Sequence, residues 1–145
     1  MQAAKKYIVN KETRYELIER IAGYFRKDEE VSFAYIYGSF NESGEFNDID
    51  VAVYLEESFA VKENTIDCQL ELGVNLEREL KGYTVDCRVL NTAPLSFRFS
   101  VITSGDLIYS KDEAKRVSFE VMTRNLYFDF KPHADFYYQK IALGR

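Results

Sequence analysis

Apolar and polar positions along the chain change period several times, and each change marks an element. Leu17, Ile18, Ile21, Ala22 and Phe25 recur at helical spacing behind the capping-box pattern Thr13-Arg-Tyr-Glu16, so a first amphipathic helix is expected over 12–27. Val31-Ser-Phe-Ala-Tyr-Ile-Tyr37 is β-branched and aromatic and predicts a strand that ends at Gly38. Asp48-Ile-Asp-Val-Ala-Val-Tyr-Leu55 has the cleanest period of two. Ile49, Val51, Val53 and Leu55 fall on one face, and Asp48, Asp50, Ala52 and Tyr54 on the other. Residues 63–81 predict a second helix closed by Gly82. Ile66, Leu70 and Val74 step by four, and so do Cys68, Leu72, Leu76 and Leu80; two such rows call for cover on more than one side. Thr84-Val-Asp-Cys-Arg-Val-Leu90 predicts a third strand with Val85, Cys87 and Val89 inward and Asp86 on the opposite face. A helix from Pro94 to Ser104, a short strand over 106–109 and a helix over 111–131 complete the pattern. That last helix is expected to break or kink at Pro132 and to continue over 133–143. The order α-β-β-α-β-α-β-α defines an α/β (α+β) fold, a mixed sheet backed by helices on one face.

Composition narrows the class. With 145 residues the chain fits one domain, expected to span 1–145 with a C-terminal helical segment at about 111–145. The net charge of -5 argues against a sequence-independent nucleic-acid binder, which carries a basic footprint. The charge is uneven: residues 1–110 are acidic overall and 111–145 are slightly basic, which hints at a separate partner face. Cys68 and Cys87 are too few for a disulfide scaffold. With the single His133 they fall short of an ordinary zinc site, and they read as small apolar core residues in a reducing compartment. No apolar run spans a bilayer, and Met1-Gln-Ala-Ala-Lys5-Lys6 opens no signal-peptide core, so a soluble cytoplasmic protein is expected.

The candidate chemistry lies at Gly38-Ser39 and Asp48-Ile49-Asp50. A glycine ending a strand permits a sharp bend, and the amides that follow, with the Ser39 hydroxyl, suit phosphate oxygens. A plain turn is the competing reading. Asp48 and Asp50, two apart on a strand, have Cα atoms about 6.6 Å apart and side chains on one side. Held together they repel, unless a cation lies between them. Mg²⁺, which commonly takes one or two carboxylates plus substrate phosphates, resolves the conflict; a solvated strand face is the alternative. Asp86 joins the same face if its strand neighbours that of Asp48. Three aspartates there suit two Mg²⁺ ions bridged by triphosphate oxygens, with Asp86 placed to accept the proton of an incoming hydroxyl. Arg88, two residues on, either faces this site or forms a surface ion pair.

Tyr37-Gly38-Ser39-Phe40, then Asp48-Ile49-Asp50-Val51-Ala52-Val53 and the later Val85-Asp86 resemble the signature of the polymerase-β-like nucleotidyltransferase superfamily. The short length is similar to that of the minimal nucleotidyltransferase (MNT) group. Leu90-Asn91-Thr-Ala-Pro94-Leu95, Gly105-Asp-Leu-Ile-Tyr109 and Tyr127-Phe-Asp-Phe-Lys-Pro132 further resemble MntA-type antitoxins encoded beside HEPN-domain toxins. The loop between Ser39 and Asp48 is shorter than in many members and lacks the basic residues frequent there.

The resemblance implies a polymerase-β-like fold and transfer of AMP from ATP to a tyrosine of a partner HEPN ribonuclease, which is silenced in a hetero-oligomer. It implies that Gly38 and Ser39 hold the β/γ-phosphates, that Asp48 and Asp50 hold Mg²⁺, and that Asp86 serves as metal ligand and base. No direct nucleic-acid or membrane partner is expected. A small hydroxylated acceptor such as an aminoglycoside, or a non-catalytic toxin-binding module, are the alternatives. His133 reads as a surface or packed residue. Tyr127, Phe128, Phe130, Phe136, Tyr137 and Tyr138 are too dense for solvent, so helix packing onto the domain is expected, with a partner interface as the alternative.

Overall fold

The computed structural model describes residues 6–143 apart from 43 and 63. The opening residues 1–5 and the Tyr138 side chain lie outside this description.

Helix α1 (Lys11–Arg26) is capped by Asn10, whose side chain accepts from the Thr13 amide at 2.8 Å. Thr13 therefore sits inside the first turn and is not the cap: the helix starts two residues before it, and the Asn10 carboxamide serves the third free amide of that turn, which is Thr13's own. The chain continues through β1 (Val31–Tyr37) and β2 (Asp48–Leu55) to α2 (Glu57–Lys62). The six-residue α2 has no sequence period to announce it; the Glu56 carbonyl starts it by accepting from the amides of Phe59 and Ala60. Then come α3 (Thr65–Leu80), β3 (Thr84–Val89), α4 (Leu95–Ser104), β4 (Asp106–Ser110) and α5 (Glu113–Leu143). Helix α3 ends at Lys81 in the left-handed region, followed by Gly82.

The sheet order is β3-β2-β1-β4. β1 runs antiparallel to β2 and to β4, whereas β2 and β3 are parallel and joined through α3, so the sheet is mixed as expected. One face carries Ile49, Val51, Val53, Val85, Cys87 and Val89 against Leu17, Ile21 and Phe25 of α1 and Leu72, Leu76 and Leu80 of α3. Cys68 and Cys87 are free and buried in this layer.

Helices cover both faces, contrary to the one-faced arrangement expected. Phe33, Tyr35 and Ala52 pack on the second face against Val101 and Ile102 of α4 and Phe119 of α5. The reason lies in β1, a central strand buried along nearly its whole length, whose phenylalanine and tyrosines need a second apolar layer. This layer meets β2 only from Ala52 onward, so the end bearing Asp48 and Asp50 is not roofed.

Helix α5 runs through Pro132 without interruption. Proline removes one amide donor there, and the carbonyl it would have served, that of Phe128, belongs to an exposed residue and can meet water. The aromatic cluster is divided. Tyr127 stacks on Phe99 with ring centroids 3.7 Å apart, but Phe128, Phe130, Phe136 and Tyr137 are exposed, so the expected packing stops near Tyr127. His133 is exposed on the same helix. Among the described residues no helix is long and apolar enough to cross a membrane.

Candidate active site

Strand register assembles the acidic face. Asp50 pairs with Asp86 across the parallel β2–β3 ladder, Asp48 pairs with Thr84, and Tyr37 pairs with Asp50 across the antiparallel ladder. The alternation of side chains then puts Asp48, Asp50 and Asp86 on one face, with neighbouring strands about 4.8 Å apart. Thr84 Oγ1 lies 2.6 Å from Asp48 Oδ1 and donates to it. Arg88 Nε stands 3.4 Å from the Asp86 carboxylate, so Arg88 faces the site and forms an ion pair there at once.

The electrostatic conflict concentrates on Asp50. Its partial burial, then the charges of Asp86 and Asp48, push its pKa up to about 6 against the weaker opposing pull of Arg88. Burial likewise pushes the Tyr37 phenol upward, helped by Asp50 and Asp86. Among the described residues no three acidic, histidine or cysteine side chains form a ready-made metal cage. Asp48 is engaged by Thr84 and Asp86 by Arg88. That arrangement fits Mg²⁺, which completes its octahedron with phosphate oxygens and water. A carboxylate held against its own ionisation preference is a fitting donor for such an ion.

The Gly38-Ser39 bend abuts this face directly. Gly38 has φ +78°, and a Cβ built there would stand 2.2 Å from Asp50 Oδ2. Only hydrogen fits between the bend and the carboxylate. Beyond it the Gly38 carbonyl accepts from the amides of Asn41 and Glu42 at 3.1 and 3.3 Å, forming a single helical turn. Ser39 is exposed at this turn and Phe40 is buried, edge-on to Phe46 at 4.9 Å between centroids.

Arg14 holds the turn from α1. Its guanidinium donates to the carbonyls of Phe40 and Glu42 and lies 5.2 Å from the centre of the Phe40 ring. The sequence pattern missed this residue. Arg14 reads as one more charged position of an amphipathic helix, and nothing local signals carbonyl partners 26 and 28 positions away. It supplies a cation beside a loop that contains none.

Fold and geometry together define an α/β domain in which carboxylates from two parallel strands meet a glycine bend at the open end of a mixed sheet. The family model described as "Polymerase beta, Nucleotidyltransferase" matches residues 19–114, and the chain belongs to that family of nucleotidyl-transferring enzymes. No curated protein matches it. Among solved structures it is similar to a chain of the tri-AMPylated Shewanella oneidensis HEPN toxin in complex with MNT antitoxin. The identity is 19%, the TM-score 0.63, and 90% of this chain and 97% of that chain are covered. It is also similar to a chain of the MntA–HepT toxin–antitoxin, at 19% identity and TM-score 0.63, over 92% of this chain and 99% of that one. A third similar structure is of the toxin–antitoxin with AMP-PNP, with the same identity, TM-score and coverage as the second. The shared feature is the fold, of the MNT type.

Proposed function

We propose that this chain, acting as one nucleotidyltransferase unit over 1–145, is a cytoplasmic Mg²⁺-dependent antitoxin. It transfers AMP from ATP to a tyrosine of a partner HEPN ribonuclease, forms a complex with it and silences it. The observation that carries the reading is the direct apposition of the Gly38 bend to Asp50, with Asp86 paired to Asp50 on the adjoining strand. Family membership and the MNT-type fold support it. The choice of acceptor is supported by the tri-AMPylated toxin in one of the similar structures, and the choice of nucleotide by AMP-PNP in another.

Asp48 and Asp50 would hold Mg²⁺, two ions with the help of Asp86. Bound magnesium supplies charge neutralisation at the carboxylates and the triphosphate. Gly38 lets the backbone approach the β/γ-phosphates, and Ser39 adds its hydroxyl. Arg14 fixes the turn that carries these donors. The tyrosine oxygen bonds to the α-phosphorus as the bond from that phosphorus to the bridging β-oxygen breaks, and pyrophosphate leaves. The phenolic proton passes to the Asp86 carboxylate, which is partly exposed and returns it to water. Arg88 steadies that carboxylate and offers positive charge to the phosphates.

The test combines the chain, labelled ATP, Mg²⁺ and the HEPN-domain protein encoded beside it, read by intact mass. The toxin gains whole adenylate increments. Asp48→Asn with Asp50→Asn abolishes the gain, and Asp86→Asn slows it by about 10²–10⁴-fold. An increment that survives the double substitution defeats the reading. Full neutralisation of the toxin by the double variant establishes a binding module instead.

A further inference from the structure

Helix α3 presents two apolar rows, and only one is covered. Cys68, Leu72, Leu76 and Leu80 are buried, whereas Ile66, Leu70 and Val74 are 65%, 64% and 46% exposed. The bare row does not face open solvent alone. It forms one wall of a groove along the outer edge of β3, made of two cavities of about 320 and 380 Å³ that share Ile66, Gln69 and Arg88. Asp86 lines the first cavity.

The direction of the chemistry gives this groove a role. In-line displacement puts the incoming oxygen and the departing pyrophosphate on opposite sides of the phosphorus. The glycine bend ends β1, on one flank of Asp50, and Asp86 belongs to β3, on the other flank. With the leaving group held at the bend, the acceptor hydroxyl arrives from the β3 side, past Asp86. The groove lies on that side, and Asp86 borders its first cavity.

The groove also limits how a partner binds. Gln69 Oε1 accepts from the Val89 amide at 2.9 Å, and Glu77 Oε1 accepts from the Val85 amide at 3.0 Å. Helix α3 thus occupies the outward edge of β3 with its own side chains, and a strand added there would have to displace them. Side-chain contacts remain. The apolar row offers them; the cation of the groove, Arg88, is paired with Asp86, and the exposed carboxylates of Asp67 and Glu71, next to Ile66 and Leu70 on α3 but outside the groove lining, add negative charge to its approach.

Resting on the function proposed above, we infer that the groove between α3 and the outer edge of β3 is the acceptor-side docking surface. It takes a tyrosine-bearing segment of the HEPN partner whose flanking residues are apolar and basic, held against Ile66, Leu70 and Val74.

The experiment uses the full chain and the purified HEPN partner. Initial rates of adenylyl transfer are measured against partner concentration for wild type, Leu70→Arg and Leu70→Met, and AMP-PNP binding with Mg²⁺ is measured by calorimetry. Leu70 is exposed, so both variants are expected to melt like wild type. Leu70→Arg raises the KM for the partner by about tenfold or more, with kcat and AMP-PNP affinity unchanged, and Leu70→Met behaves as wild type. An unchanged partner KM overturns the inference. So does a loss of AMP-PNP affinity without a change in partner KM, which assigns the groove to the nucleotide. If the wild type transfers no AMP, the functional reading fails and calorimetry with the partner decides the surface separately. Binding weakened by Leu70→Arg then upholds it, and equal binding removes it.

Discussion

Asp50 holds its charge against its surroundings. Burial and two neighbouring carboxylates raise its pKa from 3.8 to about 6. The folded chain therefore binds this proton more tightly than the unfolded chain does. Ionisation of Asp50 costs stability as pH rises through the window from 3.8 to about 6; the cost is complete above that window and absent below it. In metal-free buffer Asp50→Asn is expected to melt higher than wild type at neutral pH, with the gap closing as pH falls through the same window. Thermal melts across pH check this, and a variant that melts lower at neutral pH contradicts it. Retention of Mg²⁺ and nucleotide should weaken in the same acid range, because the ion must displace that proton. At this scale the aspartates were legible, since alternation along one strand fixes their side. Arg14 was not, because its task depends on two carbonyls that only folding brings to it.

Among the elements, the junction of α4 and β4 is closed by backbone. A Cβ on Gly105 would come within 2.6 Å of the Val101 carbonyl oxygen and 2.9 Å of that of Ile36. Both obstacles are backbone, so neither can swing aside. Gly105→Ala is expected to cost about 1–3 kcal/mol, seen as a lower urea midpoint at unchanged slope. An unchanged midpoint shows that β1 and α4 separate freely there. Sequence periodicity located the longer helices and the strands, because each repeats its pattern over several turns or alternations. Short-range competition decided the rest. Asn10 outcompetes Thr13 for the cap, α2 is too short to show a period, and Pro132 is tolerated where its orphaned carbonyl meets solvent.

At the scale of the molecule, support is distributed unevenly. The first half of α5 is anchored by buried Phe119 and Thr123 and by the Tyr127–Phe99 stack, whereas Phe128, Phe130, Phe136 and Tyr137 beyond it are exposed. Isolated helices shorter than about 12–15 residues are marginal in water. In dilute protein, hydrogen exchange over residues 130–142 should therefore run far ahead of exchange in α1 and in 113–127. Equal protection reveals cover from a second molecule. The sequence by itself determined the periodic elements, the acidic and apolar sides of β2 and β3, and the glycine at the bend, because those depend on spacing between near neighbours. Tertiary structure alone decided the strand order, the second helical layer, the contact of Gly38 with Asp50 and the uncovered row of α3. Those follow from which distant surfaces exclude water from one another, and spacing along a chain does not specify its distant partners.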